Sequence, residues 1–112
     1  LFDVIGGDAV VMLASDHGAR PMLGGVRINE WLRQHGYLAL RTEPAAAGPL
    51  RAADVDWSRT TAWSDGGYYA RVFLNVRGRE PQGRLAADDC GRVLDDIGAG
   101  LATIAAPDGE AI

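Results

Sequence analysis

The sequence predicts an α/β domain, and three patterns in chain order carry that expectation. A continuous apolar run at residues 9–14 is bracketed by turn signals. Apolar residues then recur at helical spacing around 28–35 and again around 90–104. Between them, residues 68–76 are rich in aromatic and β-branched side chains. The order strand, helix, strand, helix suits an α/β fold or an α+β subdomain inserted into one.

The run Ala-Val-Val-Met-Leu-Ala at 9–14 is entered through Gly6, Gly7 and Asp8 and left through Ser15, Asp16, His17 and Gly18. A short apolar run between turn signals fits a strand buried on both faces of a parallel sheet; the period alone also admits a short buried helix. Ile28, Trp31, Leu32 and His35 follow at helical spacing, with Gly36 where a C-terminal cap belongs. Residues 42–54 hold Pro44, Pro49 and an alanine run and read as an irregular connector. Short extended structure is expected between Trp57 and Trp63, a turn at Ser64–Gly67, and a strand over Tyr68–Val76. The segment 77–83 ends that strand. Cys90, Val93, Leu94, Ile97, Leu101 and Ile104 then mark one face of a helix from about 87 to about 105. Asp88 and Asp89 fall in its first turn, where the helix dipole favours acids. This divides the chain into a core strand, loop and helix (1–40), an insertion-like strand and turn region (41–86) and an amphipathic helix (87–106).

A chain of 112 residues has room for one small domain burying roughly 65% of its unfolded surface. It opens on Leu1 within an apolar stretch (Phe2, Val4, Ile5) and closes on Ala111 and Ile112, just past the turn signal Pro107-Asp108-Gly109. Both ends are therefore expected to be cuts within a longer protein. At 47% hydrophobic and 23% charged residues the composition is globular. No apolar run approaches the ~20 residues of a membrane span. The net charge of −4 argues against a nucleic-acid surface, which needs a basic face. All 11 basic residues are arginine, read as genomic base-composition bias. One cysteine, Cys90, excludes an intrachain disulfide and a cysteine-based zinc site.

The chemistry concentrates at Ser15-Asp16-His17-Gly18. In open α/β sheets ligands bind beyond the carboxyl ends of the strands, and an acid beside an imidazole can turn toward one ion. Carboxylate with imidazole suits zinc or manganese, and Gly18 lets the chain turn sharply. The same four residues equally describe a Ser/Asp turn with an exposed histidine, and a zinc site needs three or four ligands. Other candidates have bland readings. His35 is a helix residue near the C-terminal end. Trp31, Trp57 and Trp63 are packing residues sooner than an aromatic platform. Asn75, Arg77 and Arg79 either recognise a phosphate or form a turn network with Glu80. Asp88, Asp89, Asp95 and Asp96 form a solvated helix face, and Cys90 is a small core hydrophobe.

The segment from Asp8 to Gly18 (DAVVMLASDHG) resembles the strand-plus-ligand motif of type I phosphodiesterases and nucleotide pyrophosphatases, members of the alkaline phosphatase superfamily. Two later segments extend the likeness to the prokaryotic branch of that family. One is Ile28–Leu38 (INEWLRQHGYL), similar to the helix after the ligand motif. The other runs from Val55-Asp-Trp-Ser-Arg-Thr60 through Leu74-Asn-Val-Arg-Gly-Arg-Glu-Pro-Gln-Gly83. The resemblance implies a partial alkaline-phosphatase-like core with an inserted α+β subdomain. It also implies two divalent metal ions, commonly zinc with manganese as the alternative, and a small phosphodiester or nucleotide substrate. Asp16 and His17 would ligate one of the metals. The family's Thr or Ser nucleophile, a further Asp and an Asp-x-x-x-His pair lie upstream of this motif, and a last histidine downstream. None has a matching position here, so no catalytic residue is assigned.

The chain by itself is accordingly expected to turn over no phosphodiester, to bind metal weakly or not at all, and to self-associate through the strand at 9–14 or the stripe ending at Ile104. Readings of another kind are a phosphomutase, sulfatase or phosphonate hydrolase within the superfamily, or a non-catalytic assembly module.

Overall fold

The computed structural model describes residues 4, 7–19, 21–22, 24–105 and 109. Leu1, Phe2, Ile5 and Gly6 near the start, and Pro107, Asp108, Ala111 and Ile112 near the end, lie outside the described residues. The described elements are helix α1 (Ile28–Gln34), strand β1 (Ala62–Asp65), strand β2 (Arg71–Leu74) and helix α2 (Cys90–Leu101). Short 3-10 turns stand at Ala52–Asp54 and Ala87–Asp89. The architecture is mixed: helices with a small two-stranded antiparallel sheet.

Helix α1 is short, so its ends must be fixed by what surrounds them. Its C-terminal end closes as a Schellman motif: Tyr37 N–H donates to the Leu32 carbonyl at 2.8 Å and Gly36 N–H to that of Arg33 at 3.1 Å. Gly36 takes φ +78°, the left-handed conformation that the motif needs and that glycine adopts without cost. Leu32 is fully buried, while Glu30, Arg33 and Gln34 form a polar network on the other face.

Strand β1 pairs with β2 in the register Ala62↔Leu74, Trp63↔Phe73, Ser64↔Val72, Asp65↔Arg71. The period of two puts Ala62 and Leu74 into the core and stacks Trp63 on Phe73 on the opposite face, centroids 5.5 Å apart. The outer edge of β1 is occupied by α1 and the chain leaving it. Asn29 accepts from Ser64 N–H and donates to Ser64 carbonyl, both at 2.7 Å, so its amide stands where a neighbouring strand's peptide would. Thr61 and Ala62 N–H both reach the Tyr37 carbonyl. A paired edge of this kind is closed to other strands.

Helix α2 lays Val93 and Ile97 into the core, with Cys90, Leu101 and Ile104 half-buried. Leu94, assigned to the same stripe by sequence, lies at its margin and is 45% exposed. Gly100 allows α2 to meet α1: a Cβ there would stand 2.5 Å from the Trp31 ring. One core cluster joins Leu32 and Leu38, Val55 and Ala62, Leu74, Val76 and Leu85, and Val93 with Ile97.

At the centre lies Asn75, 1% exposed. Its side-chain amide donates to the carbonyls of Trp57 and Thr60 at 2.8 Å and of Gln82 at 3.0 Å. Its own carbonyl accepts from Arg84 and Leu85, and its N–H reaches Thr61. Thr60, also fully buried, accepts from Ala39 N–H and donates to the Asp56 carbonyl.

Two expectations need correction. Residues 9–14 form no strand and are exposed: Val10 is 98%, Met12 86% and Leu13 84% accessible. A doubly buried strand needs a neighbour along each edge and a layer on each face, and no such neighbour stands among the described residues. The strand expected over Tyr68–Val76 is also shorter, beginning at Arg71. Gly66 (φ +134°) is pressed against the Tyr69 carbonyl, where a Cβ would sit 2.2 Å away. The resulting turn leaves Tyr68 and Tyr69 on the surface, 94% and 73% exposed.

Replacing Asn75 with alanine removes two buried N–H donors that three carbonyls share and is expected to lower stability by about 3 kcal/mol. Urea denaturation followed by tryptophan fluorescence measures it, and a loss under 1 kcal/mol would contradict this role.

Candidate functional site

Asp16 and His17 sit on the exposed segment that precedes α1, in a loop closed on itself. Ser15 Oγ donates to the His17 carbonyl at 2.7 Å, and His17 Nδ1 lies 2.9 Å from the Gly18 carbonyl. A carbonyl oxygen only accepts, so this contact puts the imidazole proton on Nδ1. The other nitrogen, Nε2, then faces Asp16 Oδ2 at 3.5 Å, with the two side chains 80% and 89% exposed.

That arrangement fits half of a metal site. Two corners of a zinc tetrahedron, with bonds of about 2.0–2.2 Å, lie about 3.3–3.5 Å apart. A ligating histidine characteristically gives its other N–H to a carbonyl, as His17 does to Gly18. The set is incomplete: no group of three or more His, Cys, Asp or Glu side chains poised for a metal occurs among the described residues. His35 takes no part. It caps the C-terminal end of α1, stacks on Trp31 with centroids 4.0 Å apart, and places Nδ1 2.8 Å from the Trp31 carbonyl.

The arginines of the 75–83 segment hold a turn. Arg79 donates to Glu80 Oε1 and to the Leu74 carbonyl, both at 2.6 Å, and Glu80 Oε2 accepts from Val76 N–H at 2.7 Å. Arg77 reaches the Arg84 carbonyl at 3.2 Å. Gly83 is required by contact, since a Cβ there would meet the Val76 carbonyl at 2.0 Å. With Asn75 buried beneath, this segment is a structural lock that leaves no free phosphate-binding donor at Asn75 and ties Arg79 to Glu80 and the Leu74 carbonyl. The neighbouring Asp56-Trp57-Ser58 run is built alike: Asp56 Oδ1 accepts from the Ser58 N–H and hydroxyl, and Trp57 Nε1 donates to the Ala52 carbonyl. The three tryptophans are half-buried packing residues, Trp57 edge-on to Trp63 at 5.1 Å.

Against models of known protein families, residues 3–111 match type I phosphodiesterase / nucleotide pyrophosphatase. The chain belongs to that family, whose activities are those of a hydrolase. No curated protein and no solved structure matches it. No helix among the described residues is long and apolar enough to cross a membrane.

Sequence reasoning passed over two residues that the fold exposes in a shared cavity, Arg59 and Arg84. Their signal was position alone: Arg59 lies within the Val55–Thr60 segment and Arg84 directly follows Gly83.

The turn lock is sensitive to acid. Burial raises the Glu80 carboxyl, but the Arg79 guanidinium and the Val76 N–H outweigh it and hold the group below its ordinary value. Asp56 is lowered by the Ser58 hydroxyl, and Glu30 and Asp54 by their arginine partners Arg33 and Arg51. For a carboxyl depressed on folding, the stabilisation is complete above its unfolded value and disappears as pH falls through the folded one. The melting temperature is therefore expected to be level above about pH 5 and to fall below about pH 4. Glu80→Gln should flatten part of that fall. An identical acid limb in the variant would contradict the assignment.

Proposed function

We propose that this chain is part of a metal-dependent phosphohydrolase that cleaves phosphodiester or nucleotide pyrophosphate bonds, and that Asp16 and His17 are two ligands of one of its two divalent ions. The observation that carries the reading is the facing pair, Asp16 Oδ2 and His17 Nε2, 3.5 Å apart, with the histidine proton directed away by Gly18. Membership of the family supplies the reaction class.

In this reading zinc, or alternatively manganese, supplies Lewis-acid charge for the oxygens of an in-line displacement at phosphorus. This chain's own contribution is orientation. Ser15 and Gly18 fix the loop, His17 offers Nε2, and Asp16 offers a carboxylate on the same side. The nucleophile and the remaining ligands come from segments beyond these 112 residues. Residues 9–14 then belong to the sheet of an alkaline-phosphatase-like core and pair only where its other strands are present, while residues 41–86 belong to an inserted subdomain. The apolar composition of residues 9–14 together with the exposure of Val10, Met12 and Leu13 supports the first of these assignments.

Zinc titration of the chain, read by the His17 imidazole resonances, is expected to show weak binding in fast exchange. His17→Ala should abolish it while the shifts of His35 stay unchanged. No response at His17 at millimolar zinc would overturn the ligand assignment. A chromogenic phosphodiester is expected to remain intact with the 112-residue chain and zinc; hydrolysis lost on His17→Ala would overturn the reading that the site is completed elsewhere. The exposed Val10, Met12 and Leu13 favour self-association of the chain. Sedimentation should show oligomers that Val10→Asp with Leu13→Asp returns to monomer, and a wild-type monomer at high concentration would refute it.

A further inference from the structure

We propose that a cavity on the body of the domain, away from the Asp16–His17 loop in sequence, binds a small multivalent oxyanion of the pyrophosphate class. The cavity lies between the C-terminal end of α1 and the turn before β1, has a volume of about 490 Å³, and is lined by Arg33, Arg59 and Arg84 with Thr61 and Glu43. That volume falls in the range of small-ligand sites. It leaves room for a substituent on the anion.

Charge singles the cavity out. The chain carries a net charge of −4, yet this wall gathers three arginines against one carboxylate. The three are not equivalent. Arg33 is spent: Nε and one terminal nitrogen reach Glu30 at 3.1 and 2.9 Å, and the other reaches both oxygens of Glu43 at 3.0 and 2.9 Å. Among the described residues Arg59 makes no side-chain hydrogen bond or ion pair. Arg84 makes one long contact, 3.5 Å to the Ser58 carbonyl. Two guanidinium forks are thus open to a ligand, and a planar fork matches the oxygens of phosphate.

Both forks are rooted on fixed backbone. Arg59 N–H bonds the Asp56 carbonyl, beside the buried Thr60, and Arg84 N–H bonds the carbonyl of the buried Asn75. A ligand spanning the two therefore orders side chains alone, which lowers the entropic cost of binding. Two isolated surface arginines are ordinary; two without a carboxylate partner on one concave wall, whose only carboxylate is bonded to Arg33, form a site for a doubly charged group.

Calorimetric titration with inorganic pyrophosphate, in the presence of a chelator, tests the proposal. Saturable one-site binding is expected, weakened at high salt. Arg59→Gln and Arg84→Gln should each raise Kd by roughly tenfold or more. Glu43→Gln should tighten binding, because it removes the opposing charge and frees one nitrogen of Arg33; unfolding cannot imitate that gain. Arg92→Gln, on α2 and paired with Asp89 and Asp96, should change little. The double variant Asp16→Ala, His17→Ala should bind as the parent does, so failure of the metal-ligand reading leaves this result standing. Absence of saturation, equal losses in Arg92→Gln and Arg59→Gln, no gain with Glu43→Gln, or binding that disappears with Asp16 and His17 would each overturn it.

Discussion

The folded body hangs on one buried amide. Asn75 spends its side chain on the carbonyls of Trp57 and Thr60 on one turn and of Gln82 on another, and its backbone on Thr61, Arg84 and Leu85. A short two-stranded sheet is marginal unaided. Here the strand pair is held by a polar centre whose bonds cannot be exchanged for water without opening the core. The arginine–glutamate pair above it and the contact-limited Gly83 complete the same lock. The Asn75 side chain is therefore accounted for by folding, and a phosphate-binding role for it has no donors left to support it.

The proposed metal pair lives under the opposite condition. Asp16 and His17 are exposed and held only by bonds within four residues. Local geometry suffices to point a lone pair and a carboxylate the same way, because that needs one turn and one histidine tautomer. It does not suffice to complete a coordination sphere, which needs ligands brought from elsewhere by tertiary structure. Rigid body and exposed loop thus divide the chain into a part that is stable by its own contacts and a part whose function, as proposed, depends on further contacts.

Helix α1 and helix α2 were legible in the sequence because their signals are local: apolar spacing over two or three turns, and Gly36 at the cap. The cap glycine lies where expected and closes a Schellman motif. The strand over residues 71–74 was overextended toward Tyr68, since aromatic content alone does not reveal that Gly66 must turn against the Tyr69 carbonyl. The run at 9–14 shows a stricter limit. Its composition says that it is suited to burial; only neighbouring strands decide whether burial happens.

By itself the sequence determined the family and the two helices, and it singled out the Asp16–His17 pair as the candidate site, all from residues close together along the chain. Tertiary structure alone decided that Asn75 is a hub, that Asn29 completes the edge of β1, and that Arg59 and Arg84 share one cavity wall. Each of these joins residues 7 to 35 positions apart or rests on which donors remain unspent. Such facts depend on chain reversals whose outcome no local spacing encodes, because hydrogen-bond partners are assigned by the closed fold and not by the segment that carries them.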